Sequence, residues 1–261
     1  MIDHSLLRTG PASPVDAAAG QSSPIQNQWP AHIPVTRIQR LIAGRMLASK
    51  RSKPCFYLET RADVTELLAM RHNLSKALGV KVTSNAFLIH VLSLAARQYP
   101  LMVGRFLWQD SQDPAAGAVI RIADSINVGF AVSGPQGLVV PVIKNAQDKS
   151  LAAIAREEKL LTDKARSNKL TLEDLEDQTI GLSNLGAYDV DSFIGIVPPP
   201  ASTILAAGKV NLVAVPQDGR VTVRRMMSLS LSVDHRVIHG EYAARFLQCL
   251  MEQLKDPEKL I

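Results

Sequence analysis

His235 and His239 stand four residues apart in "SVDHRVIHGEYAARFL", where an alternating run ending at Val233 gives way to Asp234, His235 and Arg236. Three chemistries fit such a pair. On a helix, positions i and i+4 share a face and could clamp a metal. The pattern is not helical at His235, however, no glutamate follows it in the metalloprotease spacing, and His4, His32, His72 and His90 supply no evident third ligand. As a general base, an imidazole titrating near neutrality can take a proton from a thiol or hydroxyl, an effect worth about 10²–10⁴ in rate. As punctuation, His235 merely ends a strand. The polar triplet before a helix that starts at Gly240 favours the base, because α/β sheets present functional groups where strands leave the sheet.

Ser183 in "TIGLSNLG" is a second chemical candidate. Acyl transfer between thiols passes through a tetrahedral oxyanion, which a hydroxyl or a backbone N–H must stabilise. A serine followed by Asn184 and Gly186 also fits an ordinary turn or cap. Lys164 in "TDKA" matches the tetrapeptide of lipoyl-carrying lysines, but it lies in a helix-periodic segment rather than at an exposed hairpin tip. It is therefore read as a decoy.

The elements that must hold these groups alternate along the chain. "TRIQRLIAGRM" places Ile38, Leu41, Ile42, Arg45 and Met46 on one helical face, and "CFYLETRADV" reads as a strand after Pro54. "DVTELLAMRHNLSKAL" is a helix with an N-cap candidate at Asp63 or Thr65, ended by Gly79. "NAFLIHVLSLAARQYP" is apolar all round and reads as a buried helix. "SINVGFAVSG" and "GLVVPVIK" form a hairpin or crossed strand pair around Gly134, Pro135 and Gly137, followed by the periodic helix "LAAIAREEKLLTDKARSNKL". Strands follow in "TIGLSNLG", "STILAAGKV" and "MMSLSLSVDHR". The last helix carries Ala243, Phe246, Leu247, Leu250 and Leu254 on one stripe and stops before Pro257. The expected class is α/β with one mixed sheet.

Residues 1–32 are rich in Pro, Ala, Ser, Gln and Gly and read as a flexible tether; residues 33–261 read as the folded domain. Hydrophobic residues make up 46% of the 261 residues and charged residues 20%, ordinary values for a globular chain. No apolar run reaches the roughly 18–20 residues of a membrane span, and "MIDHSLLRTG" has no signal-peptide pattern. Cys55 and Cys249 cannot make a disulfide framework, which suits a reducing cytoplasm. A net charge of +5 and 5% aromatics do not argue for nucleic acid. Six basic residues between Arg37 and Lys53, with no acid among them, make a patch suited either to phosphates or to solvent.

"SVDHRVIHGEYAARFL" and "GLSNLGAYDVDSFIGIVPPPASTILAAGKV" resemble the catalytic domain of the dihydrolipoamide acyltransferases, the cores of 2-oxo acid dehydrogenase complexes, with a fold like that of chloramphenicol acetyltransferase. "RIQRLIAGRMLASKRSKPCFYL", "VTELLAMRHNL" and "GLVVPVIKNAQDKSLAAIA" follow in the family's order, from Ile33 to Ile261. The resemblance implies a two-layer α/β fold with a mixed sheet, assembled as a homotrimer with active sites between subunits and extended to a cubic or icosahedral core. It implies transfer of an acyl group, acetyl first, between coenzyme A and a lipoyl group supplied in trans by a lipoyl-bearing protein alongside other complex subunits, with no metal and no membrane. His235 matches the family's base and Ser183 its oxyanion donor from the neighbouring subunit. The coenzyme positions fall on Arg71, Thr83, Ser133, Ser183, Asn184 and Gly208.

Two departures stand out. His239 occupies the place of the motif aspartate, which implies reduced rather than absent activity. Cys55 stands where the family often has histidine and reads as a structural thiol. The chain shows no lipoyl or peripheral-subunit-binding segment. Two rival functions fit a weakened motif: a scaffold core that organises partner subunits, and a free-standing acetyltransferase acting on a small acceptor.

Overall fold

The computed structural model describes residues 32–109, 117–135 and 137–260. The tether expected over residues 1–32 lies, apart from His32, outside the described residues, as does Ile261. The description below concerns the compact unit that begins at Thr36.

Helix α1 (Arg37–Ser52) opens with a capping box: the Thr36 hydroxyl accepts the Gln39 N–H, and the Gln39 side chain accepts the Thr36 N–H. Strand β1 (Cys55–Asp63) leads to α2 (Thr65–Ala77). The formal cap of α2 is Val64, but the Asp63 carboxylate accepts both the N–H and the hydroxyl of Thr65, at 3.0 and 2.6 Å. Helix α3 (Ser84–Gln98) buries ten residues in a row broken only at Leu94, as an all-round apolar pattern requires.

A hairpin not expected from the sequence follows, β2 (Gly104–Trp108) with β3 (Ala118–Ile122). The expected hairpin around Gly134 is present but split. Its outer strands β4 (Val128–Phe130) and β7 (Val142–Ile143) join the main sheet, whereas β5 (Val132–Gly134) and β6 (Gly137–Val139) form a separate ribbon. Pro141, which has no N–H to give the ladder, lies at the break and accepts the Phe130 N–H instead. Helix α4 (Leu151–Arg166) is capped by Ser150, and Lys164 within it is held by Asp174 at 3.0 Å, so it is not a free arm.

Strands β8 (Ile180–Asn184), β9 (Thr203–Gln217) and β10 (Arg220–Asp234) complete the sheet before α5 (Gly240–Lys255). The strand order is β1-β10-β9-β8-β4-β7, with β8 parallel to both its neighbours and the other pairs antiparallel. β9 and β10 run further than their apolar cores suggested, pairing out to Gln217 and Arg220 as a long ribbon with an irregularity between Met227 and Leu229. α3 and α5 pack on one face of the sheet. There Leu182, Leu205, Leu229, Leu231 and Val233 meet Phe87, Phe246 and Leu250 in one apolar core. Side chains one position along point to the opposite face, and these are polar in β10: Ser230, Ser232 and Asp234. No helix among the described residues is long and apolar enough to cross a membrane.

Candidate active site

At the end of β10 the chain turns sharply: the N–H groups of Val237 and Ile238 both donate to the Asp234 carbonyl at 3.0 Å. The Asp234 side chain is only 1% exposed and accepts from the Arg236 N–H, Nε and Nη2 at 3.1, 3.0 and 2.7 Å. A buried carboxylate needs such a partner, and the two-pronged guanidinium supplies it in a fixed geometry. The Arg236 guanidinium also lies 4.7 Å over the Phe106 ring. Between these two anchored residues, His235 donates its backbone N–H to Pro54 at 3.0 Å and sets its ring edge-on to Phe56, 5.6 Å between centroids. Its side chain is exposed and makes no hydrogen bond among the described residues. The turn thus fixes the backbone and leaves the imidazole unspent.

His239 is the N-cap of α5, its Nδ1 accepting the Tyr242 N–H at 3.4 Å. An accepting Nδ1 carries no proton, so in the neutral ring Nε2 is the donor. Arg236, three residues before His239, is already held by Asp234. Cys55, half-buried on β1, has its thiol pushed up by burial, which opposes thiolate formation. Burial pulls the Lys53 ammonium down, with Asp234 acting against it; Lys53 donates to the Ala201 carbonyl and ties the end of α1 to the segment before β9. Among the described residues no three His, Cys, Asp or Glu side chains gather as a metal site.

The sheet register decides how the two chemical candidates relate. Ser183 is level with Ala206, and Ala206 with Ser230. His235 therefore lies two strands across and five residues along from Ser183, about 19 Å away at roughly 4.8 Å per strand and 3.3 Å per residue. One chain does not bring imidazole and hydroxyl together. Ser183 is half-buried, on the sheet face opposite Asn184, with no side-chain hydrogen bond among the described residues.

Three of the expected coenzyme positions do converge. Thr83, Asn184 and Gly208 line a cavity of about 670 Å³ together with Asn85, Gly186 and Lys209. Thr83 is the N-cap of α3: its Oγ1 accepts the Ala86 N–H at 3.0 Å and donates to Glu158 at 3.2 Å. The Asn184 oxygen accepts the Gly186 N–H at 2.9 Å, and its nitrogen donates to Asn85 at 2.8 Å, which leaves one N–H and one lone pair for a ligand. At Gly208 a Cβ would strike the backbone carbonyl of Asp191, so the close approach is made by the chain itself, and Lys209 donates its N–H to Val190 beside it at 2.8 Å. Arg71 on α2 and Ser133 on β5 are exposed and do not line this cavity. Asn85 and Glu158 were not read from the sequence. Glu158 did leave a signal, a carboxylate on the stripe of Leu151, Ile154, Ala155, Leu161 and Ala165.

Comparisons with known proteins agree with this architecture. The family model described as "2-oxoacid dehydrogenases acyltransferase (catalytic domain)" matches residues 27–261. The acetyltransferase component of the pyruvate dehydrogenase complex of Rickettsia bellii is 32% identical over 232 residues, covering 87% of this chain and 53% of that protein. The chain thus spans about half the length of the curated relatives it matches. The dihydrolipoamide acetyltransferase of Azotobacter vinelandii superposes with a TM-score of 0.81 at 32% identity, covering 97% of this chain and 99% of that one. The cubic core of a pyruvate dehydrogenase multienzyme complex gives the same figures. The Azotobacter structure was used to study the catalytic role of a serine, a histidine 52 residues later and an asparagine four residues beyond that. A chloramphenicol acetyltransferase, at 17% identity and a TM-score of 0.51 over 85% of this chain, shares the fold. The chain belongs to the acyltransferase catalytic-domain family of the 2-oxoacid dehydrogenases.

Proposed function

We propose that this chain is an acyltransferase core that moves an acyl group, acetyl first, between dihydrolipoamide and coenzyme A, with the lipoyl group supplied in trans. The observation that carries the reading is a spacing. From Ser183 to His235 is 52 residues and from His235 to His239 four, the intervals that separate the serine, histidine and asparagine of the Azotobacter acetyltransferase on a superposable fold.

The chemistry follows from the groups left unspent. The His235 imidazole takes the proton of the attacking thiol. The thiolate adds to the thioester carbonyl, and the Ser183 hydroxyl donates to the oxyanion that forms. Collapse expels the other sulfur as a thiolate, which recovers the proton from the imidazolium. No acyl-enzyme forms, in keeping with a Cys55 thiol that burial keeps from ionising. Because one chain holds the two groups about 19 Å apart, each site takes His235 from one protomer and Ser183 from the next, in a homotrimer that is the unit of a larger core. Apolar side chains exposed on the single chain, Leu41 and Leu47 on α1 and Leu212, Val221 and Val223 on the β9–β10 ribbon, offer surface for that association. His239 presents one acceptor to the helix and one donor at Nε2, the complement of an asparagine amide, so the departure from aspartate lowers the rate without abolishing it.

The test is a steady-state assay with acetyl-CoA and dihydrolipoamide. The parent turns over, and His235→Ala loses about 10²–10⁴ in kcat with at most a small fall in thermal midpoint, since the ring makes no hydrogen bond among the described residues and gives up only its edge-on contact with Phe56. An inert parent, or a His235→Ala variant as fast as the parent, refutes the reading; an inert parent that still forms the core would make the chain a scaffold.

A further inference from the structure

Glu158 occupies a position on α4 that the helix otherwise gives to apolar side chains, and it is only 6% exposed. A buried carboxyl costs stability unless something uses it. The Thr83 hydroxyl donates to it from 3.2 Å, at the wall of the cavity lined by three of the expected coenzyme positions, and the Thr162 hydroxyl one turn along α4 also faces it. A hydroxyl has one hydrogen and two lone pairs. The Thr83 hydrogen goes to Glu158 and one lone pair takes the Ala86 N–H, so a single lone pair remains. Without Glu158 the hydrogen is free to rotate, and Thr83 can meet a ligand as donor or acceptor.

We infer that Glu158 is a positioning residue that holds the Thr83 hydroxyl as an acceptor toward the cavity, selecting a ligand that presents an N–H there. This rests on the cavity being the coenzyme site and deepens that reading. The pantetheine arm carries two amide N–H donors of the required kind, and the contact is assigned to that arm. The adenosine bisphosphate end also carries N–H, on its adenine amino group, so titrating the two ligands separately decides which part Thr83 meets. Burial pushes the Glu158 carboxyl up, the cost expected of a group kept for function in an apolar stripe.

The experiment is calorimetric titration of the full chain with coenzyme A and, separately, with adenosine bisphosphate, comparing the parent, Glu158→Leu and Glu158→Gln. Glu158→Leu should weaken coenzyme A about 3- to 10-fold, the worth of one hydrogen bond. Adenosine bisphosphate should stay within about twofold and the thermal midpoint should hold or rise, since an apolar side chain suits that stripe. Glu158→Gln keeps an acceptor for the Thr83 hydrogen and should bind both ligands like the parent. Unchanged coenzyme binding in Glu158→Leu overturns the inference, as does an equal loss for both ligands with a fall in the midpoint, which marks a purely structural role. A parent that binds neither ligand refutes the coenzyme reading itself.

Discussion

Around His235 most stabilising contacts come from within four residues or from the chain entering the adjoining strand: Asp234 with Arg236, the turn onto the Asp234 carbonyl, His239 capping α5, and Pro54 and Phe56 alongside, with Phe106 of β2 reaching in under Arg236. The cavity at Asn184 is assembled instead from β8, β9 and the cap of α3, backed by a glutamate of α4, with residues more than a hundred positions apart. The first region is a local device that sets one side chain in place. The second exists only once the sheet and helices have packed. The contrast suits a reaction in which the base needs orientation and the cofactor needs a shaped recess.

If the base end is held by one buried ion pair, its removal should be the costlier lesion. Asp234→Ala strands Arg236 and should lower stability by about 3 kcal/mol, the low end for a broken buried pair because the Arg236 side chain keeps 26% exposure. Denaturant unfolding measures it; a loss below about 1 kcal/mol would show that solvent replaces Asp234 and that the turn is not anchored there. If the cavity depends on close backbone approach, Gly208→Ala should cost about 1–3 kcal/mol and weaken coenzyme A. A Cβ there meets the carbonyl of Asp191, which no rotamer change relieves. Retained affinity with lowered stability would separate the fold from the recess. The smallest effects belong to His239. His239→Ala should cost about 1 kcal/mol as a lost cap, whereas His239→Asn should keep the midpoint, because asparagine caps as well. A His239→Asn enzyme with unaltered stability but more than tenfold altered kcat would give the second histidine a chemical role beyond the cap.

The same contrast explains what could be read in advance. The alternation of Ser and Leu into Asp234, the stripe Ala243, Phe246, Leu247, Leu250 and Leu254, and the all-apolar run of α3 are periodic and local, and all three elements are present. The β2–β3 hairpin escaped because "GRFLW" and "AVIRI" are short runs without a tight-turn signal between them. The ribbon of β9 and β10 ran past its expected ends because its outer half is stabilised by cross-strand pairing, as of Val223 with Ala214, rather than by burial. Thr83 and Asn184 were reached by resemblance, but their working partners Glu158 and Asn85 depend on contacts between helices and strands that no spacing encodes.

Subunit mixing tests most directly whether the site is completed by two copies. His235→Ala and Ser183→Ala chains, each nearly inert alone, are unfolded together, refolded and assayed beside the separate refolded controls. Because one protomer gives the base and its neighbour the hydroxyl, random equimolar trimers hold both intact groups at roughly a quarter of their interfaces, and activity should return to about that fraction of the parent. Mixed trimers that form and remain as inert as their components would contradict the account, for then the two groups never serve the same reaction.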